Sequence, residues 1–265
     1  MALAAETTTT LRLPADLLKD RVAIVTGGSR GIGRATAIRL AEAGAHVVVN
    51  YAHNDAAAAE VASALKDNGV TAVAVRADVA DAAQASLLND YAVENFGRVD
   101  VLVANAGIWR GAKVEDMTES LWDEVLDTNL KGTWAACRAV VPAMKQRKSG
   151  SIIIVSSTAG QRGEAFYSNY AASKGGQISF AKSLSSELAP HIRVNCVAPG
   201  WVDTELNDPV FSDGRYKDEV ARAIPLQRIA SPDDVALSIA FLASDWARHI
   251  TGEVLNLNGG SVLCG

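Results

Sequence analysis

From residue 21 onward, short runs that are apolar at every position alternate with longer stretches in which apolar residues recur every three to four positions. The runs Val22-Ala23-Ile24-Val25, Val47-Val48-Val49, Val101-Leu102-Val103 and Ile152-Ile153-Ile154-Val155 read as buried strands, as do residues 71–75, 192–197 and 253–257. Helices are predicted over 35–43 (stopped by Gly44), 56–66 (ending near Gly69), 82–96 (capped by Asp81 and closed by Gly97), 121–144, 170–188 and 233–243. Strands without polar alternation are buried on both faces, as in a parallel sheet covered by helices on each side. Right-handed crossovers then leave few topologies. The expected fold class is α/β, a single-domain Rossmann-type doubly wound parallel sheet of about seven strands.

Residues 1–20 stand apart. Thr7 to Thr10 is a polar run, Pro14 interrupts any helix, and no apolar stretch has the length of a signal-peptide core. The expectation is a loosely ordered leader over 1–20, with Leu11, Leu13, Leu17 and Leu18 packing onto one domain spanning 21–265. Of the 265 residues, 49% are hydrophobic and 21% charged, with a net charge of −5, so the chain can bury a core and has no basic field to hold nucleic acid or an anionic membrane. Neither partner is expected, no run reaches membrane-spanning length, and no metal site is expected. Cys137, Cys196 and Cys264 form no paired motif, which suits a reducing, cytoplasmic setting with the first two as small core residues.

The turn after the first strand reads Thr26-Gly27-Gly28-Ser29-Arg30-Gly31-Ile32-Gly33. Glycines there permit a tight turn and close approach of a pyrophosphate, whose oxygens meet the free N–H groups of the next helix. A carboxylate ending the second strand would hold the ribose 2′-hydroxyl of NAD(H). Here Asn50-Tyr51-Ala52-His53 carries no acid before Asp55, and Arg30 supplies a fork of donors for a 2′-phosphate. Charge therefore favours NADP(H) over NAD(H). Further along, Tyr170 and Lys174 are four apart and share one helical face, which sets an ammonium beside a phenol and lowers the phenol's pKa. A phenol so tuned exchanges a proton with a carbonyl oxygen.

Together these motifs resemble the short-chain dehydrogenase/reductase family over essentially 21–265. The glycine spacing of Gly27, Gly31 and Gly33 is similar to that family's, and Asp78-Val79 to its adenine-contacting pair. Asn105-Ala106-Gly107, Asn129-Leu130-Lys131-Gly132 and Pro199-Gly200 with Val202 and Thr204 resemble its later motifs. Ser157, Tyr170 and Lys174 resemble its catalytic trio. Ala104 departs from the pattern, where many members carry a second Asn.

The resemblance implies that Ser157, Tyr170, Lys174 and Asn129 are catalytic, with Asn129 holding a water that links Lys174 to solvent. It also implies cofactor contacts at Gly27, Ser29, Arg30, Gly31, Ile32, Gly33, Asn50, Tyr51, Asp78, Val79, Asn105, Ala106, Gly107, Tyr170, Lys174, Pro199, Gly200, Val202 and Thr204. Ser156 competes for the serine role, but adjacent strand residues face opposite ways. The implied activity is hydride transfer between NADP(H) and a small carbonyl or secondary alcohol by a carbonyl reductase, with a homotetramer as the assembly. Members that reduce 3-oxoacyl-(acyl-carrier-protein) are the nearest likeness, judged from 168–174 and Ile250-Thr251-Gly252. An acidic carrier needs basic docking surface, which Lys145, Arg147 and Lys148 supply only in part, so a free small carbonyl compound is preferred. The alternatives are that carrier-bound substrate, a non-catalytic NADP(H)-binding regulator, and a sugar-nucleotide epimerase, for which too few residues follow Thr204. Trp109, Phe166, Trp201, Leu206, Phe211 and Tyr216 are expected to form an apolar substrate pocket, and Arg162 and Glu164 read as either polar groups of that pocket or solvated loop positions.

Overall fold

The structure, a computed structural model, describes residues 13–263. Each apolar run forms a strand: β1 Val22–Val25, β2 His46–Tyr51, β3 Ala72–Arg76, β4 Val101–Ala104, β5 Gly150–Val155, β6 Ile192–Pro199 and β7 Val254–Leu257. They make one sheet in the order β3-β2-β1-β4-β5-β6-β7. All pairings are parallel. The order reverses between β1 and β4, and the carboxyl ends of strands flanking such a switch diverge to leave a crevice.

Strand residues alternate between two buried faces, which is why no polar alternation shows in the sequence. Ala23, Val25, Val47, Val49, Val101, Val103, Ile153 and Val197 join one core cluster. It is closed by helices α1 (Gly31–Glu42) and α10 (Pro232–Ala243). Val22, Ile24, Val48, Leu102, Ile152, Ile154, Val194 and Cys196 join the other. That face is covered by α3 (Ala82–Phe96), α5 (Gly132–Arg147) and α7 (Ser168–Leu188). The remaining helices are α2 (Asp55–Lys66), α4 (Glu119–Leu126), α6 (Ala159–Arg162), α8 (Asp208–Phe211) and α9 (Gly214–Ala223). Asn54, Asp81, Thr118 and Asp213 cap α2, α3, α4 and α9 with their side chains.

Two expectations change. The helix predicted over 121–144 is α4 and α5 joined by a π-helical turn, Asp127–Lys131. That extra-wide turn frees the Asn129 carbonyl, which accepts from Thr133 Oγ1 (2.7 Å) and Gln177 Nε2 (2.8 Å). The stretch between Pro199 and Pro232 contains α8 and α9, whose periodicity is hidden because Val220 is the one buried residue of α9. Residues 13–20, assigned above to the leader, pack against the domain. Leu18 is fully buried and its N–H donates to Ala43 O at 2.8 Å, while Leu13 and Leu17 pack on the same core. Leu11 and Cys264 lie outside the described residues. Among the described residues, no helix is long and apolar enough to cross a membrane.

The start of α10 yields a test of the packing. Ser231 and Asp234 form a capping box, and the Arg228 guanidinium donates to both Asp234 oxygens at 2.6 and 2.9 Å. The guanidinium, foremost, holds the Asp234 carboxyl down at about 2. A free Asp titrates near ~3.9, so the stabilisation is complete above that pH and is lost as pH falls towards about 2. Thermal melts of Asp234→Asn should therefore show a flatter dependence on pH over that acid range than the unmodified protein. Identical slopes would contradict the assignment.

Candidate active site

The carboxyl ends of the strands surround a cavity of about 770 Å³. Its floor is stitched together by three side chains. Thr26 Oγ1 accepts from the N–H groups of Asn105 (2.9 Å) and Ala106 (3.0 Å), and Asn105 Nδ2 returns bonds to Thr26 O (2.9 Å) and Gly27 O (3.2 Å). Asn50 Oδ1 accepts from Gly27 N–H (3.2 Å) while its Nδ2 donates to Ala77 O (2.8 Å). The ends of β1, β2 and β4 are thereby locked into one platform. Asn50 is buried, and both ends of its amide are spent on this framework.

Gly27 turns with φ +62°, in the left-handed region where a side chain is strained. Gly33 is needed for proximity: a Cβ there would lie 2.2 Å from Gly27 O. No side chain caps α1 at Arg30, so the first N–H groups of the helix face the cavity without a side-chain acceptor. Ser29, Arg30, Gly31 and Ile32 line that end, with Tyr51, His53, Asp78 and Val79 across from them. Arg30 is exposed on the rim.

At the other end, α7 and the close of β5 supply the trio. Ser156 and Ser157 follow the end of β5 and both line the cavity, with different partners. Ser156 is buried and its hydroxyl donates to Lys174 O at 2.8 Å, whereas the Ser157 hydroxyl accepts from Ala159 N–H at 3.1 Å and lies near the Tyr170 phenol. Lys174 Nζ donates to Val155 O at 2.8 Å and lies 5.7 Å from the centroid of the Tyr170 ring. Burial dominates both groups. It pushes the Tyr170 phenol up to about 12, opposed by the nearby Ser157 hydroxyl, and brings the Lys174 ammonium down to about 8. This corrects the expectation of a lowered phenol pKa: the four-residue spacing brings the partners together, but loss of water outweighs what the ammonium offers.

Asn129 is fully buried behind the cavity wall. Its amide accepts from Ile108 N–H (2.8 Å) and donates to Ile108 O (3.0 Å) and Ser173 Oγ (3.0 Å). It thus ties the loop after β4 to the trio's helix, with its carbonyl already engaged as described above. Asn105, Ala106, Gly107, Pro199, Gly200, Val202 and Thr204 line the middle of the cavity. Cys137 and Cys196 are buried thiols pushed up to about 12 by loss of water, which makes them inert core residues.

Of the residues expected in the substrate pocket, Trp109, Trp201, Leu206, Arg162 and Glu164 line the cavity. Phe211 does not reach it and instead backs Trp201, ring centroids 5.3 Å apart. Phe166 and Tyr216 point outward, 62% and 39% exposed. Tyr167 escaped the sequence reading; it stacks on Trp109 at 4.5 Å. Its position three residues before Tyr170, at the entry to α7, was the available signal.

Comparison with known proteins agrees with this geometry. Residues 27–261 match the model of a family described as enoyl-(acyl carrier protein) reductase. The chain is 43% identical to 3-oxoacyl-(acyl-carrier-protein) reductase FabG of Staphylococcus aureus over 239 residues, covering 90% of this chain and 96% of the relative. It is 42% identical to the 3-oxoacyl-(acyl-carrier-protein) reductase of a Synechocystis species over 248 residues, covering 93% and 98%. It is 40% identical to the FabG of Chlamydia muridarum over 246 residues, covering 92% and 98%. The chain belongs to the short-chain dehydrogenase/reductase family of oxidoreductases.

Proposed function

We propose that this protein is an NADP(H)-dependent carbonyl reductase in which Tyr170 is the general acid/base. The observation that carries the reading is convergence: the glycine turn and the Ser157–Tyr170–Lys174 group open into the same cavity. The residues present fit a nicotinamide dinucleotide. An anionic pyrophosphate suits the uncapped start of α1 and the close approach of Gly27 and Gly33, and the cavity is of small-ligand size. When bound, the nicotinamide supplies the hydride.

The chain's own residues do the rest. Ser157 hydrogen-bonds the carbonyl oxygen and orients it, and Tyr170 delivers its phenol proton to that oxygen as negative charge develops. In the direction of alcohol oxidation Tyr170 takes the proton back. A phenol kept protonated by burial is ready to donate. Lys174 lies beside the ring and supplies positive charge that stabilises the phenolate left behind. Asn129 holds Ile108 and Ser173, and so fixes the distance between the nicotinamide wall and the trio.

Oxidation of NADPH with a panel of small aldehydes and ketones tests this reading. Turnover supports it, whereas nucleotide binding without turnover favours a regulator. Arg30, with no carboxylate ending β2, supports preference for the 2′-phosphate. Arg30→Ala should lower kcat/KM for NADPH about tenfold, the scale of one hydrogen bond to a charged group, while kcat/KM for NADH changes little. An unchanged NADPH to NADH ratio removes Arg30 from cofactor choice.

The similarity to acyl-carrier-protein reductases favours a second reading, reduction of a carrier-bound 3-oxoacyl chain. Exposed Arg147 ends α5 and exposed Lys148 follows it towards β5, and Lys145 is drawn to Glu187 at 4.0 Å. Activity on the carrier-bound substrate well above that on the free thioester would establish this reading. Self-association as a homotetramer fits the half-exposed Trp122 and Trp134 on α4 and α5, and a cytoplasmic location fits the buried free thiols. Sedimentation analysis measures the former.

A further inference from the structure

The trio specifies what happens to a carbonyl and leaves open what carries it. The wall beyond Ser157 narrows the choice. Glu164, in the loop between α6 and α7, lines the cavity together with Trp109 and Trp201. The indole N–H of Trp109 lies near its carboxylate and favours the charged form. Trp109 is stacked on Tyr167 (4.5 Å, 14°) and stands edge-on to Trp201 (5.8 Å, 88°), which Phe211 supports from behind. The half-buried carboxylate therefore shares the cavity with two indoles, one braced by Tyr167 and the other by Phe211.

Among the described residues, Glu164 makes no ion pair within 4 Å. Arg162 lines the same cavity and attracts it from farther away. Burial accordingly holds the Glu164 carboxyl above its usual range, and its charge contributes to raising the Tyr170 phenol. A carboxylate half withdrawn from water and without an ion pair is costly, and a matching cation offsets that cost. Indole faces add their own attraction for a cation. A plain acyl chain would gain from the aromatic rings but would strip water from Glu164 without replacing it, which selects against such a ligand.

We propose that the preferred substrate is an amino ketone whose ammonium group is held by Glu164 between Trp109 and Trp201 while its carbonyl meets Ser157 and Tyr170. This rests on the reductase reading above and names its substrate class. The chemistry is unchanged: hydride from NADPH adds to the carbonyl carbon, the Tyr170 proton goes to the oxygen, and NADP⁺ is released. The ammonium group is a handle and takes no part in the redox step. Glu164 is a specificity-determining residue.

The test pairs two ketones of similar shape, N-methyl-4-piperidone, largely protonated at neutral pH, and 4-methylcyclohexanone. The expected ratio of their kcat/KM values with NADPH is tenfold or more in favour of the ammonium ketone. Glu164→Gln should bring that ratio to about unity, and Glu164→Asp, which keeps the charge, should retain most of it. A wild-type ratio near or below unity, or one that survives in Glu164→Gln, overturns the proposal. Calorimetric binding of the non-reducible N-methylpiperidine to the NADP⁺-loaded protein gives a readout independent of turnover. Binding at least tenfold tighter to the wild type than to Glu164→Gln supports the ammonium site, and equal affinity overturns it. Tight, Glu164-dependent binding with no reduction of either ketone would overturn the reductase reading and leave the ammonium site standing.

Discussion

Replacing Tyr170 with Phe is expected to lower kcat/KM for NADPH-dependent carbonyl reduction by about 10²–10⁴-fold, the usual contribution of a positioned general acid. The substitution removes one oxygen and keeps the ring, so α7 and its packing on β5 and β6 are retained. The deleted atom is also the one whose charge the nearby Ser157 hydroxyl favours. NADPH affinity and melting temperature should therefore stay close to those of the unmodified protein, and the loss should fall on kcat rather than on cofactor binding. With the phenol pushed up to about 12 and the Lys174 ammonium down to about 8, Tyr170 stays protonated across the neutral range. The protein free of cofactor thus begins with the proton that reduction consumes. Steady-state kinetics with a saturating nucleotide, together with a direct NADPH titration, separate the two effects. A Tyr170→Phe protein with undiminished kcat/KM would remove the phenol from the mechanism.

The second large effect is expected from Gly33→Ala. A Cβ at Gly33 would stand 2.2 Å from Gly27 O, 2.6 Å from Asn105 Nδ2 and 2.9 Å from Gly27 C. Two of these atoms are backbone, and the third is held by its bonds to Thr26 O and Gly27 O. Nothing flexible is available to yield, so α1 has to move away from the end of β1. Overpacking of this kind costs about 1–3 kcal/mol. The displaced segment is also the one expected to receive the pyrophosphate, so NADPH affinity should fall more than tenfold. Gly214→Ala serves as the comparison, because a Cβ there meets nothing within 4 Å and Gly214 begins α9. It should be neutral or mildly stabilising, since Ala favours helix over Gly. Nucleotide titration and thermal melts of both variants report the contrast. Wild-type affinity in Gly33→Ala would show that α1 and the turn can separate without consequence.

Most of the architecture was legible along the chain because its signals are local. A buried parallel strand is a run of apolar residues, and four such runs, with the more mixed segments 71–75, 192–197 and 253–257, became the seven strands of one sheet. Asp81 and Gly97 marked the ends of α3 through the N-cap bond and a left-handed C-cap. The helix of Tyr170 and Lys174 was equally plain, since a spacing of four residues is a statement about one helical face. Where the signal was diluted the reading failed. Helices α8 and α9 carry few buried positions, and the π-turn at Asp127–Lys131 leaves no compositional trace.

The order of the motifs, and with it the membership in an oxidoreductase family, was determined by the sequence alone. Only the tertiary structure decided how each group behaves. Asn50 serves the platform under Gly27 because Ala77, 27 positions away, presents its carbonyl there. The Tyr170 phenol is raised rather than lowered because the surrounding chain excludes water from it. Glu164 shares its cavity with two indoles because Trp109 and Trp201, from the loops that follow β4 and β6, converge there. Desolvation depends on neighbours brought together by folding, whereas periodicity and spacing are written along the chain.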